Sequence, residues 1–229
     1  MILGHDTLTN IINNTSQKGI LIENKKFMCI ALVARNHGLE TIKELIHSSN
    51  FKLIAIFTHK INPKSYDPLR NERNDFKDFK NISEKNRIPF FSIDSRDEKY
   101  RLDDFVRKHD FHFLISISWR YIISPTIFKK AKYGSINLHR GELPKYAGVE
   151  PIKKALENSE NKIVISCHHI SEKIDAGEII FEKSHPSNYD KKFSLEENVD
   201  RLKDEITPYF SELTIKSLEY LIGDNKNEK

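Results

Sequence analysis

Met28-Cys29-Ile30-Ala31-Leu32-Val33 is an unbroken apolar run. Leu39–Ser48 follows with its apolar residues at helical spacing, and then comes a second run, Lys52-Leu53-Ile54-Ala55-Ile56-Phe57. A strand covered on both faces reads as continuous apolar sequence, and such strands separated by helices belong to a parallel sheet with helices on both sides. The pattern continues after the charged stretch Asn62–Arg87. Pro89–Ile93 reads as a short strand, Asp97–Lys108 as a helix and Phe111–Ile117 as a strand. The expected fold class is α/β, a Rossmann-like, mostly parallel sheet flanked by helices.

Three segments are expected. Residues 1–26 form a polar lead-in with one apolar patch, Gly19-Ile20-Leu21-Ile22. Residues 27–183 carry the alternating strands and helices. Residues 184–229 form a polar, helical C-terminal extension that starts at the capping-box pattern Ser194-Leu195-Glu196-Glu197 and breaks at Pro208. Its Leu213, Ile215, Leu218, Tyr220 and Leu221 exceed what a sheet edge needs for cover, so a homodimer contact after Lys183 is expected.

At 229 residues, with 38% hydrophobic and 31% charged residues, the composition is that of an ordinary globular chain with one full core. Apolar residues never run to membrane-spanning length and the N-terminus has no apolar signal core, so neither secretion nor membrane insertion is expected. Cys29 and Cys167 both sit in apolar runs and read as small buried hydrophobes in a reducing compartment, which predicts a cytoplasmic protein. The formal charge of +4 is spread among nearly as many acids as bases. No basic block marks a nucleic-acid partner, and the charge favours neither nucleic acid nor membrane but is compatible with an anionic small-molecule substrate.

The chemistry-bearing residues gather in Ser135-Ile136-Asn137-Leu138-His139-Arg140-Gly141-Glu142-Leu143-Pro144-Lys145-Tyr146-Ala147-Gly148-Val149-Glu150-Pro151-Ile152 and in Ile174-Asp175-Ala176-Gly177. Strand residues two apart share a face, so Asn137 and His139 project together. Asp175 comes from the connection between two strand-like runs, Ile163–His169 and Glu178–Glu182. A donor amide, an imidazole and a carboxylate are the parts that acyl transfer needs. A plain hydrogen-bonding pair beside a turn is the competing reading of Asn137 and His139 taken alone. Cys167-His168-His169 is not expected to hold a metal, because neighbouring strand residues face opposite ways. His5, His37, His47 and His185 read as isolated and solvated.

Together, the Asn-Leu-His triplet, the Leu-Pro-Lys-Tyr turn with Gly148, the Pro151-Ile152 helix start and the Ile-Asp-Ala-Gly loop resemble the catalytic core of the folate-dependent formyltransferases, from about Phe51 to Phe181. The resemblance implies transfer of the formyl group of N10-formyltetrahydrofolate to a primary amine, without a metal. Asn137 would donate to the developing oxyanion and His139 would relay the amine's proton. Asp175 would orient the imidazole and raise its pKa. Ser118-Trp119-Arg120-Tyr121-Ile122-Ile123 and the strand end Phe57-Thr58-His59-Lys60 look most like the sugar-nucleotide N-formyltransferases.

On that basis Trp119, Arg120, Tyr121, Ile122 and Ile174 are expected at the folate cofactor. Arg35, Lys60 and Tyr146 are expected at a nucleotide-linked 4-amino sugar, a dTDP-4-amino-4,6-dideoxyhexose of O-antigen biosynthesis being favoured. A phosphoribosylglycinamide or methionyl-tRNA formyltransferase is the alternative, and a catalytically silent folate- or nucleotide-binding module is the alternative of another class. Asn36-His37-Gly38 is not a Gly-rich phosphate loop, which weighs against a phosphoribosyl substrate. Ala147 departs from the pattern, since many relatives carry Arg in this turn.

Overall fold

The computed structural model describes residues 26–227, so the Gly19–Ile22 patch and His5 lie outside the described residues. In chain order the elements are β1 (Phe27–Val33), α1 (Arg35–His47), β2 (Phe51–Thr58), α2 (Phe76–Lys85), β3 (Phe90–Ser92), a 3-10 turn at Asp97–Lys99, α3 (Tyr100–Lys108), β4 (Phe113–Ile117), α4 (Pro125–Phe128), β5 (Gly134–His139), α5 (Pro151–Glu157), β6 (Lys162–His169), β7 (Ile179–Pro186), α6 (Leu195–Glu205) and α7 (Thr207–Asn227). One sheet runs β3-β2-β1-β4-β5-β6-β7. The first five strands are parallel, and β6 and β7 are each antiparallel to the strand before.

The reason for the unbroken apolar run in β1 is now visible. Cys29, Ala31 and Val33 point into one core with Leu39, Ile42 and Phe210, while Ile30 and Leu32 point into a second with Phe57, Leu102 and Phe105. Both faces of the sheet are covered, so every residue of the strand centre is apolar. The chain leaves β1 toward β2 and β3 on one side and returns to β4 on the other. That reversal of strand order opens a crevice beyond the carboxyl ends of β1 and β4, where ligands of such sheets lie.

Helix α2 lies within the charged stretch Asn62–Arg87, where no helix is expected from the sequence. Only Phe76, Phe79 and Ile82 are apolar in it, and of these Phe79 alone is fully buried. So narrow a stripe is hidden among lysines and acids. At the C-terminal end, Ser194 and Glu197 make the reciprocal capping box that the pattern predicts. The break falls at Ile206 rather than Pro208; Pro208 lies in the first turn of α7, where a missing N–H costs nothing.

The apolar face of α7 corrects an expectation. Leu213, Leu218 and Leu221 are buried in the same core as α1 and β6, and Ile215 packs against it, so the surface invoked for a subunit contact is covered within the chain. Tyr220 stays exposed, edge-on to Phe181. Cys29 and Cys167 are free and buried, and burial pushes the Cys167 thiol up to about 12. Among the described residues no helix is long and apolar enough to cross a membrane.

Candidate active site

Strand β5 carries Asn137 and His139 to the carboxyl end of the sheet, where β4 runs beside it with Ile117 opposite Leu138. The antiparallel β6 sets His168 opposite Asn137 and Ser166 opposite His139. The β6–β7 connection then brings Asp175 over this end. It comes so close that a Cβ on Gly177 would lie 1.7 Å from the carbonyl oxygen of His169, so only glycine fits there.

The three residues singled out by motif do converge. His139 Nδ1 stands 3.5 Å from Asp175 Oδ2. His139 Nε2 donates to the carbonyl of Tyr146 at 2.7 Å. Asp175 Oδ2 also accepts the Gly148 N–H at 2.9 Å, and Gly148 takes a φ of +87°, a conformation natural to glycine. Asn137 Nδ2 reaches His168 Nε2 at 3.0 Å, and His168 Nε2 lies 3.6 Å from Asp175 Oδ1. His168 is therefore part of the constellation. The sequence reading weighed it only as a metal ligand.

Electrostatics at the site differ from the expectation in one respect. Burial lowers the His139 pKa and outweighs the opposing pull of the Asp175 charge and the Tyr146 carbonyl. For Asp175, burial alone would raise the carboxyl pKa. Contact with His168, the charge of His139 and the Gly148 N–H together reverse this and lower it. A neutral imidazole beside a carboxylate is the resting arrangement near neutral pH.

Ser118–Ile123 leaves β4 beside His139, starting from a φ of +56° at Ser118. Positive φ at a non-glycine residue is strained, and it is shared by Arg35 at +67° and Glu150 at +54°, at the starts of α1 and α5, and by Asp175 at +50° in the β6–β7 connection. Trp119 stacks on the buried His59 at 4.3 Å, and Tyr121 meets that ring edge-on. The Arg120 guanidinium turns to the Ile61 carbonyl at 2.6 Å and to Asp94 at 3.6 Å. Of the expected cofactor residues, Ile122 and Ile174 leave most of their apolar surface uncovered.

The residues expected at the substrate separate. Arg35 begins α1, with its guanidinium 4.8 Å over the exposed Tyr66 ring. Lys60 is exposed and pairs with Glu72 at 3.5 Å. Tyr146 is corrected outright: its side chain is buried and its hydroxyl donates to Glu160 at 2.6 Å, so what it gives the site is a carbonyl.

Arg140, which the sequence reading passed over, stands one residue beyond His139. It donates from Nη1 to His37 Nε2 at 3.3 Å, and His37 Nδ1 in turn donates to Thr207 Oγ1 at 2.8 Å. His37 is thus buried, stacked on Phe210, not solvated. His185 is not isolated either, lying 2.9 Å from Glu205. Burial, and then the nearby charge of Arg35, bring the Arg140 pKa down to about 10. Among the described residues neither Arg35 nor Arg140 has a carboxylate within 4.0 Å, whereas the buried Arg73 has Asp75 at 2.7 Å.

Residues 28–209 match the family model described as formyl transferase. This chain belongs to that family. Among relatives of this formyl transferase chain is the methionyl-tRNA formyltransferase of Orientia tsutsugamushi (strain Boryong), 27% identical over 186 residues, covering 80% of this chain and 56% of that protein. The bifunctional polymyxin resistance protein ArnA of Wigglesworthia glossinidia brevipalpis is 32% identical over 134 residues, covering 58% of this chain and 19% of that protein. The chain thus spans less than two thirds of the length of these relatives.

Among solved structures, glycinamide ribonucleotide transformylase 1 from Symbiobacterium toebii superposes with a TM-score of 0.65 at 12% identity, covering 86% of this chain and 89% of the other. A formyltetrahydrofolate deformylase from Pseudomonas syringae pv. tomato gives 0.67 at 18% identity, covering 87% and 62%. At such identities the likeness establishes the fold.

Proposed function

We propose that this chain transfers the formyl group of N10-formyltetrahydrofolate to the primary amine of a nucleotide-linked 4-amino sugar, with a dTDP-4-amino-4,6-dideoxyhexose as favoured acceptor. The observation that carries this reading is the juxtaposition of two features at this end of the sheet: a neutral His139 that faces Asp175 on the strand carrying Asn137, and two neighbouring arginines, Arg35 and Arg140, that among the described residues have no carboxylate within 4.0 Å.

The donor supplies an activated formyl group. Its apolar, aromatic portion suits the uncovered side chains of Ile122 and Ile174 and the backbone of the strained segment after Ser118. His139 gives its Nε2 hydrogen to Tyr146, so the Nδ1 lone pair is free to take the proton of the attacking amine. The imidazolium so formed faces Asp175, whose charge stabilises it, and Nδ1 then returns the proton to the departing nitrogen. An N–H of Asn137 meets the charge that grows on the formyl oxygen; loss of such a donor costs roughly 3 kcal/mol of barrier.

Arg35 and Arg140 supply the two positive charges that a diphosphate would neutralise, at the N-terminus of α1, whose first turn holds no acid. The exposed Tyr66 ring against Arg35 offers a face to a nucleobase. A methionyl-tRNA acceptor is the second reading, favoured by the relatives named above. Against it, Arg73 and Arg120, whose charges lie near Arg35, are already matched by Asp75 and Asp94 and so are not free for phosphate contacts.

The test is incubation with N10-formyltetrahydrofolate and, separately, dTDP-4-amino-4,6-dideoxyglucose, UDP-4-amino-arabinose, glycinamide ribonucleotide and methionyl-tRNA, with products read by mass. Formylation of the tRNA with no transfer to either amino sugar would overturn the reading.

A further inference from the structure

His168 touches two of the three residues that the motifs mark, and its hydrogen-bonding state follows from its surroundings. The ring is buried, at 2% exposure. Its Nδ1 lies 2.8 Å from the carbonyl oxygen of His169. A carbonyl oxygen only accepts, so Nδ1 carries the hydrogen, and in the neutral ring Nε2 is then a bare lone pair. That same carbonyl is the one pressed under Gly177 by the Asp175 loop, so the loop and the tautomer are held together.

The bare Nε2 faces Asn137 Nδ2 at 3.0 Å and accepts one of its hydrogens. A carboxamide on a short side chain has a broad, nearly two-fold torsional preference, so on its own it presents oxygen about as readily as nitrogen. The consequence for chemistry is large. An amide N–H aimed at a formyl oxygen stabilises the charge that develops there, whereas an amide oxygen in the same place repels it.

We propose that His168 is a positioning residue: as the neutral Nδ1–H tautomer it holds the nitrogen side of the Asn137 carboxamide and so keeps the second N–H of that group available to the formyl oxygen. This rests on the reading that Asn137 assists formyl transfer. His168 does not exchange a proton with substrate. It acts through Asn137; its Nε2 stands 3.6 Å from Asp175 Oδ1, while Asp175 Oδ2 faces His139.

The full chain is assayed with N10-formyltetrahydrofolate and dTDP-4-amino-4,6-dideoxyglucose, beside Asn137→Ala as reference. His168→Leu is expected to lower kcat by about 10- to 100-fold while leaving KM within about threefold, the signature of a misplaced group rather than a lost binding contact. His168→Gln, whose carboxamide oxygen can stand near the Nε2 position and accept the same hydrogen, is expected to recover most of that loss. The Asn137→Ala/His168→Leu double variant is expected to be no slower than Asn137→Ala alone, since the two act as one unit.

Two readouts do not depend on turnover. Calorimetric binding of 5-formyltetrahydrofolate should be unchanged in both His168 variants, and 15N spectra of the histidine-labelled protein should show His168 protonated at Nδ1 and bare at Nε2. Wild-type kcat in His168→Leu while Asn137→Ala is inactive would overturn this proposal alone, as would a Gln variant no better than the Leu variant or a proton found on Nε2. Asn137→Ala at the wild-type rate would overturn the functional reading and this proposal with it. Where His168→Leu fails to fold, the Gln variant and the 15N tautomer decide.

Discussion

His139 turns Nδ1 toward Asp175 because its Nε2 hydrogen is committed to the carbonyl of Tyr146, 2.7 Å away. The working nitrogen is therefore fixed by the main chain of the Leu143–Gly148 turn, with Asp175 as partner to the charged form. Replacing His139 by Ala removes the proton acceptor and one hydrogen bond. Turnover is expected to fall by about 10²- to 10⁴-fold, with a melting temperature close to that of the parent. Steady-state kinetics beside a thermal melt check this, and a His139→Ala protein that turns over normally would remove His139 from the mechanism.

The acid limb of the rate profile carries the sign of the His139 shift. Burial lowers its pKa below the ordinary 6.5, and Asp175 pulls the other way. The neutral imidazole is the active form, so kcat/KM should hold down to below that pH and fall only as the folded pKa is crossed. Asp175→Asn removes the raising influence, so its limb should move to lower pH while its plateau drops. A limb that moves upward in Asp175→Asn would contradict the geometry.

Much of this was legible in the sequence, and the remainder was hidden for physical reasons. The apolar run of β1 reveals a doubly covered strand because both of its faces face protein, and Asn137, His139 and Asp175 stand out through the turn and loop residues around them. His168 could be found only through the antiparallel register that sets it opposite Asn137. Arg140 is plain in the text of the chain, yet its partner His37 is 103 residues away and Thr207 is 170 residues from His37. Contacts at such separations leave no local period. The capping box at Ser194 announces a helix, but nothing in its own sequence says that the helices after it will cover α1.

Arg35 and Arg140 should separate binding from chemistry. If both meet phosphate, Arg140→Ala and Arg35→Ala should each raise KM for the acceptor by about 10- to 100-fold, the equivalent of one charge-assisted hydrogen bond, with a much smaller change in kcat. KM for N10-formyltetrahydrofolate should stay near the parent value. Initial rates with each substrate varied in turn test this; a rise confined to the folate KM would assign the arginines to the other substrate.

Gly177 offers a purely steric test of the loop. Gly177→Ala would set a methyl group 1.7 Å from the His169 carbonyl oxygen, which is backbone and cannot swing aside. The β6–β7 connection must shift, carrying Asp175 with it. A loss of about 1–3 kcal/mol in stability is expected, together with a fall in kcat. Urea denaturation and kinetics on the same preparation would show it, and an unchanged protein would mean that the loop approaches less closely than described.

The last prediction concerns stability against pH. His37 and His59 are both buried and neutral. Their pKa values are lowered from 6.5 to about 3, by burial first and then by Arg140 and other cations for His37 and by Arg120 for His59. In the unfolded chain each would titrate near 6.5, so between that pH and about 3 the unfolded state binds the extra proton. Stability therefore rises with pH across this window and is lost as pH falls, by up to about 1.4 kcal/mol per unit for each histidine. Acidic groups with lowered pKa values add to the same trend, so the wild-type slope alone does not isolate the imidazoles. His37→Gln does, because it removes one titrating group and leaves the carboxylates in place. Its unfolding free energy should fall less steeply between pH 6.5 and 4.5, by about one proton in the linkage slope. Parallel slopes for the two proteins in urea titrations at several pH values would show that His37 is protonated in the fold and that its Nε2 does not accept from Arg140.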